Sequence, residues 1–213
     1  MSQLNEICKQ AGLVVSALAP LTKDDGFSPT CRSVALLSPD PHAFWPIFSA
    51  SPERNDGLAH PIDRWSQRTI EALAKQVGGG AVFPFQGPPY LPFSSWAQRA
   101  GVAWQSPSGL LVHSVYGMWI SFRGAVVLGE EAPLKPEAAS PCKTCAQPCL
   151  RSCPVEALSD DGFEYRTCRD HVQSAAGAAC AESGCLARRA CPVGQGFAPT
   201  NEQLQLHMKA FAS

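Results

Sequence analysis

Eight of the ten cysteines in this 213-residue chain lie in its C-terminal third, between Cys142 and Cys191. They form two runs, and each run ends in Cys-Pro. Cysteine thiolates bind zinc and iron, and eight of them would satisfy two [4Fe–4S] clusters or two zinc sites of four cysteines each. The spacing therefore indicates metal or cluster chemistry. The first run is Cys142, Cys145, Cys149 and Cys153; the second is Cys168, Cys180, Cys185 and Cys191.

The first run nearly repeats the bacterial ferredoxin pattern C-x2-C-x2-C-x3-C-P, with three residues in place of two before its third cysteine. In two-cluster ferredoxins the cysteine before the proline binds the other cluster. Applied to this chain, the pattern predicts a crossed arrangement of two [4Fe–4S] clusters. The first cluster would be held by Cys142, Cys145, Cys149 and Cys191, and the second by Cys153, Cys168, Cys180 and Cys185.

Other uses of these cysteines stay open at this point. The second run is irregular, because four residues separate Cys180 from Cys185 and five separate Cys185 from Cys191. Zinc also binds C-x2-C pairs, and disulfides or free thiols are the remaining alternative. Cys8 and Cys31 stand apart from both runs, and we expect each of them to be structural.

Composition limits the partners and the cellular compartment that we expect for this protein. A net charge of −1 predicts neither nucleic acid nor an anionic membrane surface as a partner. The sequence contains no apolar run near the roughly 20 residues of a membrane span, and its first residues lack signal-peptide features. We therefore expect a cytoplasmic protein, whose thiols stay reduced.

The elements that would position the cysteines follow a mixed α/β pattern. Residues 61–77 predict an amphipathic helix that starts at Pro61. The polar segment 129–140 predicts a linker. We therefore expect an α/β domain over residues 1–132 and an iron–sulfur domain over residues 133–213. Apolar runs predict strands at 13–18, 33–37, 110–115 and 119–128.

Three further residues are candidates for contact with a cofactor. Tyr90 lies in the proline- and aromatic-rich stretch Phe83–Phe93, which is suited either to line a pocket or simply to pack. His113 lies in a predicted strand, where it would face a cofactor, bind a metal or be a packed, hydrogen-bonded residue. Arg123 follows an aromatic strand and would bind an anionic group or form a salt bridge. The sequence contains no phosphate-binding or dinucleotide-binding glycine motif.

Segments upstream of the cysteines carry a family resemblance. Together with the cysteine runs, Trp96–Gly101, Gly109–Val112 and Tyr116–Arg123 are similar to the corresponding part of epoxyqueuosine reductases and reductive dehalogenases, over residues 94–194. The resemblance implies a flavin-reductase-like layered α/β domain followed by a small bacterial-ferredoxin-like iron–sulfur domain. It also implies a cobalamin beside two clusters that reduce it, with the chemistry carried by the corrinoid.

The expected function is therefore that of a cytoplasmic oxidoreductase. It would take electrons from a ferredoxin or flavodoxin and pass them through its clusters to a corrinoid or small-molecule ligand on the α/β domain. A non-catalytic electron carrier or binding module for a partner enzyme is the alternative, and a metal-stabilised structural cap is a third. The substrate stays open, because Ala103–Pro107 lacks the lysine of the family's Gly-Trp-x-Gly-Lys element and no acidic residue aligns with its proton donor.

Overall fold

The computed structural model describes residues 1–133, 138–159 and 162–213. The chain divides into two compact units. The first contains Met1–Val102 and the segment that starts at Ser121, and the second contains Ala103–Ile120 and Ala138–Ser213. The predicted boundary after residue 132 assigns residues 103–120 to the first domain, whereas their contacts group them with the cysteine segment. Residues 134–137 of the predicted linker lie outside the described residues.

The described residues contain both helices and strands, as the sequence predicts. The helices are α1 Ser2–Gln10, α2 Phe44–Ser49, α3 Pro52–Asn55, α4 Pro61–Gln76, α5 Phe93–Arg99, α6 Pro148–Arg151, α7 Tyr165–Gln173, α8 Ala178–Ser183, α9 Leu186–Ala190 and α10 Asn201–Ala212. The strands are β1 Leu13–Pro20, β2 Ser33–Pro39, β3 Gly80–Val82, β4 Ala103–Gln105, β5 Leu111–His113, β6 Gly124–Leu128, β7 Leu158–Ser159 and β8 Gly162–Phe163. The mixed α/β class is confirmed.

The first unit is built on a four-stranded antiparallel sheet in the order β1-β2-β6-β3. Strand β2 is buried over almost its whole length, which explains its continuous apolar sequence. The β1–β2 register shifts between Val15 and Ala17. There the Ser16 hydroxyl donates to the Leu36 carbonyl at 3.2 Å and lies 2.8 Å from the Ser38 hydroxyl. These bonds satisfy a polar side chain that is buried at the bulge.

Helix α4 begins at Pro61, close to the predicted start, and packs on β3 and β6. Pro61 suits the first helical position, where its missing N–H costs no intrahelical hydrogen bond. Ile62, Trp65, Ile70 and Leu73 recur at helical spacing and are buried. This apolar face anchors the helix to the sheet.

The second unit has little regular sheet. Strands β4 and β5 form one antiparallel pair, and β7 and β8 form another. Its apolar core surrounds cysteines as well as aliphatic side chains. The buried members of this core are Val112, Met118, Cys149, Leu158, Ala187 and Cys191.

Two predicted strands are shorter than expected. The predicted strand 110–115 is Leu111–His113, and the predicted strand 119–128 is Gly124–Leu128. The chain turns back between them, because His113 and Gly117 exchange backbone hydrogen bonds at 3.0 Å. Across the described ranges, no helix is both long and apolar enough to cross a bilayer.

Candidate functional site

The first group of cysteines comes together from short elements of the second unit. Cys142 lies in a 3-10 helix, Cys145 follows it and Cys149 lies in α6. Cys191, which ends α9, joins them because α6 and α9 pack together. Burial raises the pKa of Cys142, a hydrogen bond from Ser140 lowers it, and the nearby charges of Cys145, Cys191 and Cys149 raise it further. These four thiols therefore lie within electrostatic reach of one another.

The second group lies on the neighbouring helices. Cys153 follows α6, Cys168 lies in α7, Cys180 lies in α8 and Cys185 precedes α9. Burial, together with the charges of Cys185, Cys153 and Cys180, raises the pKa of Cys168 to about 11. Burial also raises the pKa of Cys180, a backbone hydrogen bond from Leu186 lowers it, and the charges of Cys185 and Cys153 raise it again. Cys153 and Cys185 thus lie within electrostatic reach of both Cys168 and Cys180.

Backbone N–H groups point at several of these sulfurs. The Gln147 N–H donates to Cys145 Sγ and the Ala157 N–H donates to Cys153 Sγ, each at 3.3 Å. Donors aimed at sulfur stabilise a thiolate and offset the cost of burying its charge. Each group therefore contains a sulfur whose anionic form is stabilised by a backbone donor.

The described residues contain no set of three His, Cys, Asp or Glu side chains that converges closely enough to hold a single metal ion. In a [4Fe–4S] cluster the four thiolates bind different irons, so they surround a group rather than converge on a point. All ten cysteines are unbridged by disulfides. Their donor set of four thiolates per group fits such a cluster.

His113 is a structural turn residue. Its side chain belongs to the second unit and is 3% exposed. Its Nδ1 accepts hydrogen bonds from the N–H groups of Val115 at 3.0 Å and Tyr116 at 3.3 Å. Because Nδ1 accepts these bonds, its lone pair is directed at the turn and not at a metal. His113 therefore does not fit the role of a metal ligand through Nδ1.

Tyr90 and Arg123 lie in the first unit. Tyr90 is 66% exposed, while Phe83 and Phe93 at the two ends of its loop are buried. Arg123 Nη2 donates to the Ser121 hydroxyl at 2.8 Å, whereas its Nε is buried and has no hydrogen-bond partner. Burial lowers the pKa of Arg123, and the charge of Asp63 opposes this shift. An orphaned guanidinium N–H fits an anionic oxygen, so Arg123 keeps its place as a candidate ligand contact.

The two remaining cysteines lie outside both groups. Cys8 in α1 is fully buried, and burial raises its pKa to about 12. It packs as a small apolar side chain, as the sequence predicts. Cys31 is partly exposed.

Sequence reasoning missed the role of Ser108. This residue is fully buried in the second unit, and its hydroxyl lies 2.9 Å from the Ser106 hydroxyl. Burial raises the pKa of Cys149, and a hydrogen bond from Ser108 opposes this shift. The only local signal is the sequence Ser106-Pro107-Ser108, which resembles an ordinary turn. Nothing in it points to a cysteine some forty residues downstream.

No known family model matches the chain. Over 64 residues it is 34% identical to the epoxyqueuosine reductase of Synechocystis sp. (strain ATCC 27184 / PCC 6803 / Kazusa), a match that covers 30% of this chain and 22% of that protein. The chain thus spans about a fifth of the length of this curated relative.

Solved structures extend the likeness in fold. The epoxyqueuosine reductase of Streptococcus thermophilus superposes with a TM-score of 0.56 at 14% identity, over 93% of this chain and 67% of that one. The Bacillus subtilis enzyme gives a TM-score of 0.56 at 12% identity, over 94% and 69%. These structures show that the chain shares the fold of epoxyqueuosine reductases.

A third structure is an epoxyqueuosine reductase with an epoxyqueuosine-modified stem loop of tRNA-Tyr. It has a TM-score of 0.58 at 13% identity, over 96% of this chain and 68% of that one. This finding conflicts with the expectation, drawn from net charge, that nucleic acid is excluded as a partner. Net charge reports weak nonspecific attraction only, whereas RNA is also recognised by shape, stacking and base edges.

Proposed function

We propose that this protein is an iron–sulfur oxidoreductase that passes electrons through two [4Fe–4S] clusters. The observation that supports the proposal is a single core that contains the buried Cys149 and Cys191. Three more cysteines, Cys142, Cys153 and Cys185, pack against this core. The sequence similarity to an epoxyqueuosine reductase supports the reaction class. The clusters supply one-electron transfer when bound.

The residues of this chain do the binding and the tuning. Cys142, Cys145, Cys149 and Cys191 hold the first cluster, and Cys153, Cys168, Cys180 and Cys185 hold the second. N–H donors such as those of Gln147 and Ala157 compensate the negative charge on sulfur. The buried positions of Cys149, Cys180 and Cys191 keep water from the sulfurs.

The finer assignment follows the family resemblance. The first unit is proposed as a flavin-reductase-like layered domain that binds the electron acceptor, and the second as a ferredoxin-like domain. A ferredoxin or flavodoxin is the proposed donor, and the cytoplasm is the proposed compartment. Cobalamin is the proposed acceptor, with Arg123 and Tyr90 as contacts. His113 does not fit as its ligand through Nδ1, which the turn occupies.

Anaerobic titration tests this function. Reduced flavodoxin, added to the protein with reconstituted clusters, should bleach the visible iron–sulfur absorbance reversibly. Hydroxocobalamin should then give a saturable spectral shift and re-oxidise the protein. Re-oxidation with no corrinoid binding would favour the electron-carrier alternative, and no reversible bleaching would contradict the proposal.

Matched cysteine variants sharpen this titration. Cys180→Ala should lose the electrons stored by the second cluster, because it removes one of the four thiolates of that group. Cys31→Ala removes a cysteine outside both groups and should bleach like the wild type. Equal bleaching in both variants would contradict the assignment of Cys180.

An RNA ligand is a second candidate, favoured by the structural neighbour with its tRNA stem loop. Fluorescence anisotropy with a labelled stem loop tests it. The affinity should fall with added salt in proportion to the number of phosphates that Lys and Arg side chains neutralise. Equal affinity for the stem loop and an unrelated RNA duplex would count against it.

A further inference from the structure

The hairpin formed by β4, β5 and the turn after them, residues 103–117, packs on the first cysteine group. Val112 of β5 lies in the same buried core as Cys149 and Cys191. Trp104 and Leu110 pack against this core from the same hairpin. The hairpin is therefore part of the wall around the first group, although it precedes Cys142 by a long stretch of sequence.

The closest contact between the hairpin and the segment after Cys191 is between their main chains. A Cβ on Gly117 would lie 1.9 Å from the carbonyl oxygen of Val193. A Cβ on Gly194 would lie 2.4 Å from the carbonyl carbon and oxygen of Tyr116. Two glycines thus let the turn and the segment after Cys191 touch main chain to main chain, where any side chain would force them apart.

Side chains also hold the turn and the segment after Cys191 in place. His113 accepts the N–H groups of Val115 and Tyr116, which fixes the turn. The Tyr116 ring then meets Phe197 edge-on, with 5.2 Å between ring centroids. The segment that follows Cys191 is consequently held at two points by the hairpin.

Ser108 of the hairpin acts on the same group. Its side chain is fully buried, and its hydroxyl lies 2.9 Å from that of Ser106, which is placed to donate to it. Burial raises the pKa of Cys149, and a hydrogen bond from Ser108 opposes this shift. A sulfur bound to iron is an acceptor, so Ser108 would be the donor. Hydrogen bonds to cluster sulfurs stabilise the more negative, reduced state and raise the reduction potential.

We propose that the 103–117 hairpin positions and tunes the first cluster, with Gly117 setting the place of Cys191 and Ser108 donating a hydrogen bond to Cys149. Gly117 and Ser108 are positioning residues, since they act through the cysteines. This inference rests on the proposed clusters. It adds that the two clusters are held differently, one of them by a segment outside the cysteine runs.

Gly117→Ala and Gly109→Ala form a matched pair. Both glycines lie in the hairpin with positive φ, +56° and +75°, but a Cβ on Gly109 meets nothing within 4 Å. Both variants pay the cost of the left-handed conformation, and only Gly117→Ala adds the clash. Gly117→Ala should lower iron from about eight to about four per chain and remove one paramagnetic resonance signal of the reduced protein. Gly109→Ala should keep both clusters.

Ser108→Ala tests the proposal even where Gly117→Ala fails to fold. Losing the donor should lower the potential of the first cluster, by about threefold to tenfold in its one-electron reduction constant, tenfold being 59 mV. The second cluster should not shift. Ser174→Ala is the control, because its hydroxyl bonds the His171 carbonyl rather than a sulfur. Cys180→Ala, which lacks the second cluster, identifies the signal of the first.

The outcomes separate this inference from the proposed function. Wild-type protein without iron would overturn both. Wild-type protein with two clusters, whose potentials and iron content are unchanged in Gly117→Ala and Ser108→Ala, would overturn the inference alone. A shift of the second cluster in Ser108→Ala, with the first unchanged, would also overturn it.

Discussion

The two units differ in what fills their interiors. Of the twelve largest fully buried side chains in the described parts of the chain, eleven lie in the first unit and only Val112 lies in the second. The ion pairs found among the described residues, such as Arg99 with Asp25, all lie in the first unit as well. The second unit instead surrounds its buried cysteines with small and medium apolar side chains.

The two units therefore have different sources of stability. The first unit buries large apolar and aromatic side chains, which suffices for an ordinary fold. The second has short helices and two-stranded sheets, which are marginal without further cross-links. Bound clusters would supply those cross-links, since metal binding to a folded site contributes directly to folding.

Removing the clusters should have the largest effect, and this effect should be confined to the second unit. In the apo protein, amides of Ala138–Ser213 should exchange hydrogen faster by about 100-fold or more, which corresponds to about 3 kcal/mol of opening free energy. Amides of β1 and β2 should keep their protection. Hydrogen exchange followed by mass spectrometry measures both regions in one experiment. Equal loss in the two units would contradict their independence.

A cavity in the first unit should destabilise that unit and leave the iron content unchanged. Trp65 is 2% exposed and meets Phe44 edge-on at 5.2 Å between ring centroids. Trp65→Ala should lower the free energy of unfolding of the first unit by about 3–5 kcal/mol. Urea denaturation measures this change, and the iron content should stay at the wild-type level. Leu58→Ala, at a side chain that is 64% exposed, is the control and should change little.

Loss of the Asp25 ion pair should destabilise the first unit by a smaller amount. The Asp25 side chain is 3% exposed and accepts hydrogen bonds from Arg99 at 2.5 Å and from Trp96 Nε1 at 2.7 Å. Asp25→Ala should cost the first unit about 2–3 kcal/mol, because it leaves Arg99 and Trp96 without their acceptor. Asp56→Ala breaks a pair in which both side chains are about one-third exposed, and should cost much less because water screens the pair.

The same carboxylate predicts a pH dependence. Burial tends to raise the pKa of Asp25, but hydrogen bonds from Arg99, Thr22 and Trp96 outweigh it and hold that pKa well below its usual range. The folded pKa is thus below the unfolded value of about 3.9, so the stabilisation is complete above about pH 5. It is lost as pH falls below the unfolded pKa toward the folded one. Urea titrations from pH 7 to pH 3 should show this loss in the wild type and not in Asp25→Ala.

Local patterns in the sequence account for much of the first unit. Pro61 and the spacing of Ile62, Trp65 and Leu73 predict α4, and continuous apolar runs predict β1 and β2. The stretch from 110 to 128 is predicted less well. Its apolar side chains serve the core around Cys149, as Met118 does, rather than a continuous strand. His113 also takes two N–H groups that a strand would have used in its ladder.

The candidate site also has some features that the sequence predicts and others that it does not. The grouping of Cys191 with the first run follows from a spacing pattern that reflects how loops surround a cubane. The close approach of Gly117 to Val193 has no such pattern, because it arises only when distant segments pack. Turn-forming glycines and serines are too common in sequences to indicate a cluster by themselves.

The proposed role of the eight cysteines is to hold two [4Fe–4S] clusters. The decisive measurement is the amount of iron, zinc and acid-labile sulfide per chain in protein purified without oxygen. Two clusters require about eight iron and about eight sulfide atoms per chain. Two zinc atoms with neither iron nor sulfide would contradict it.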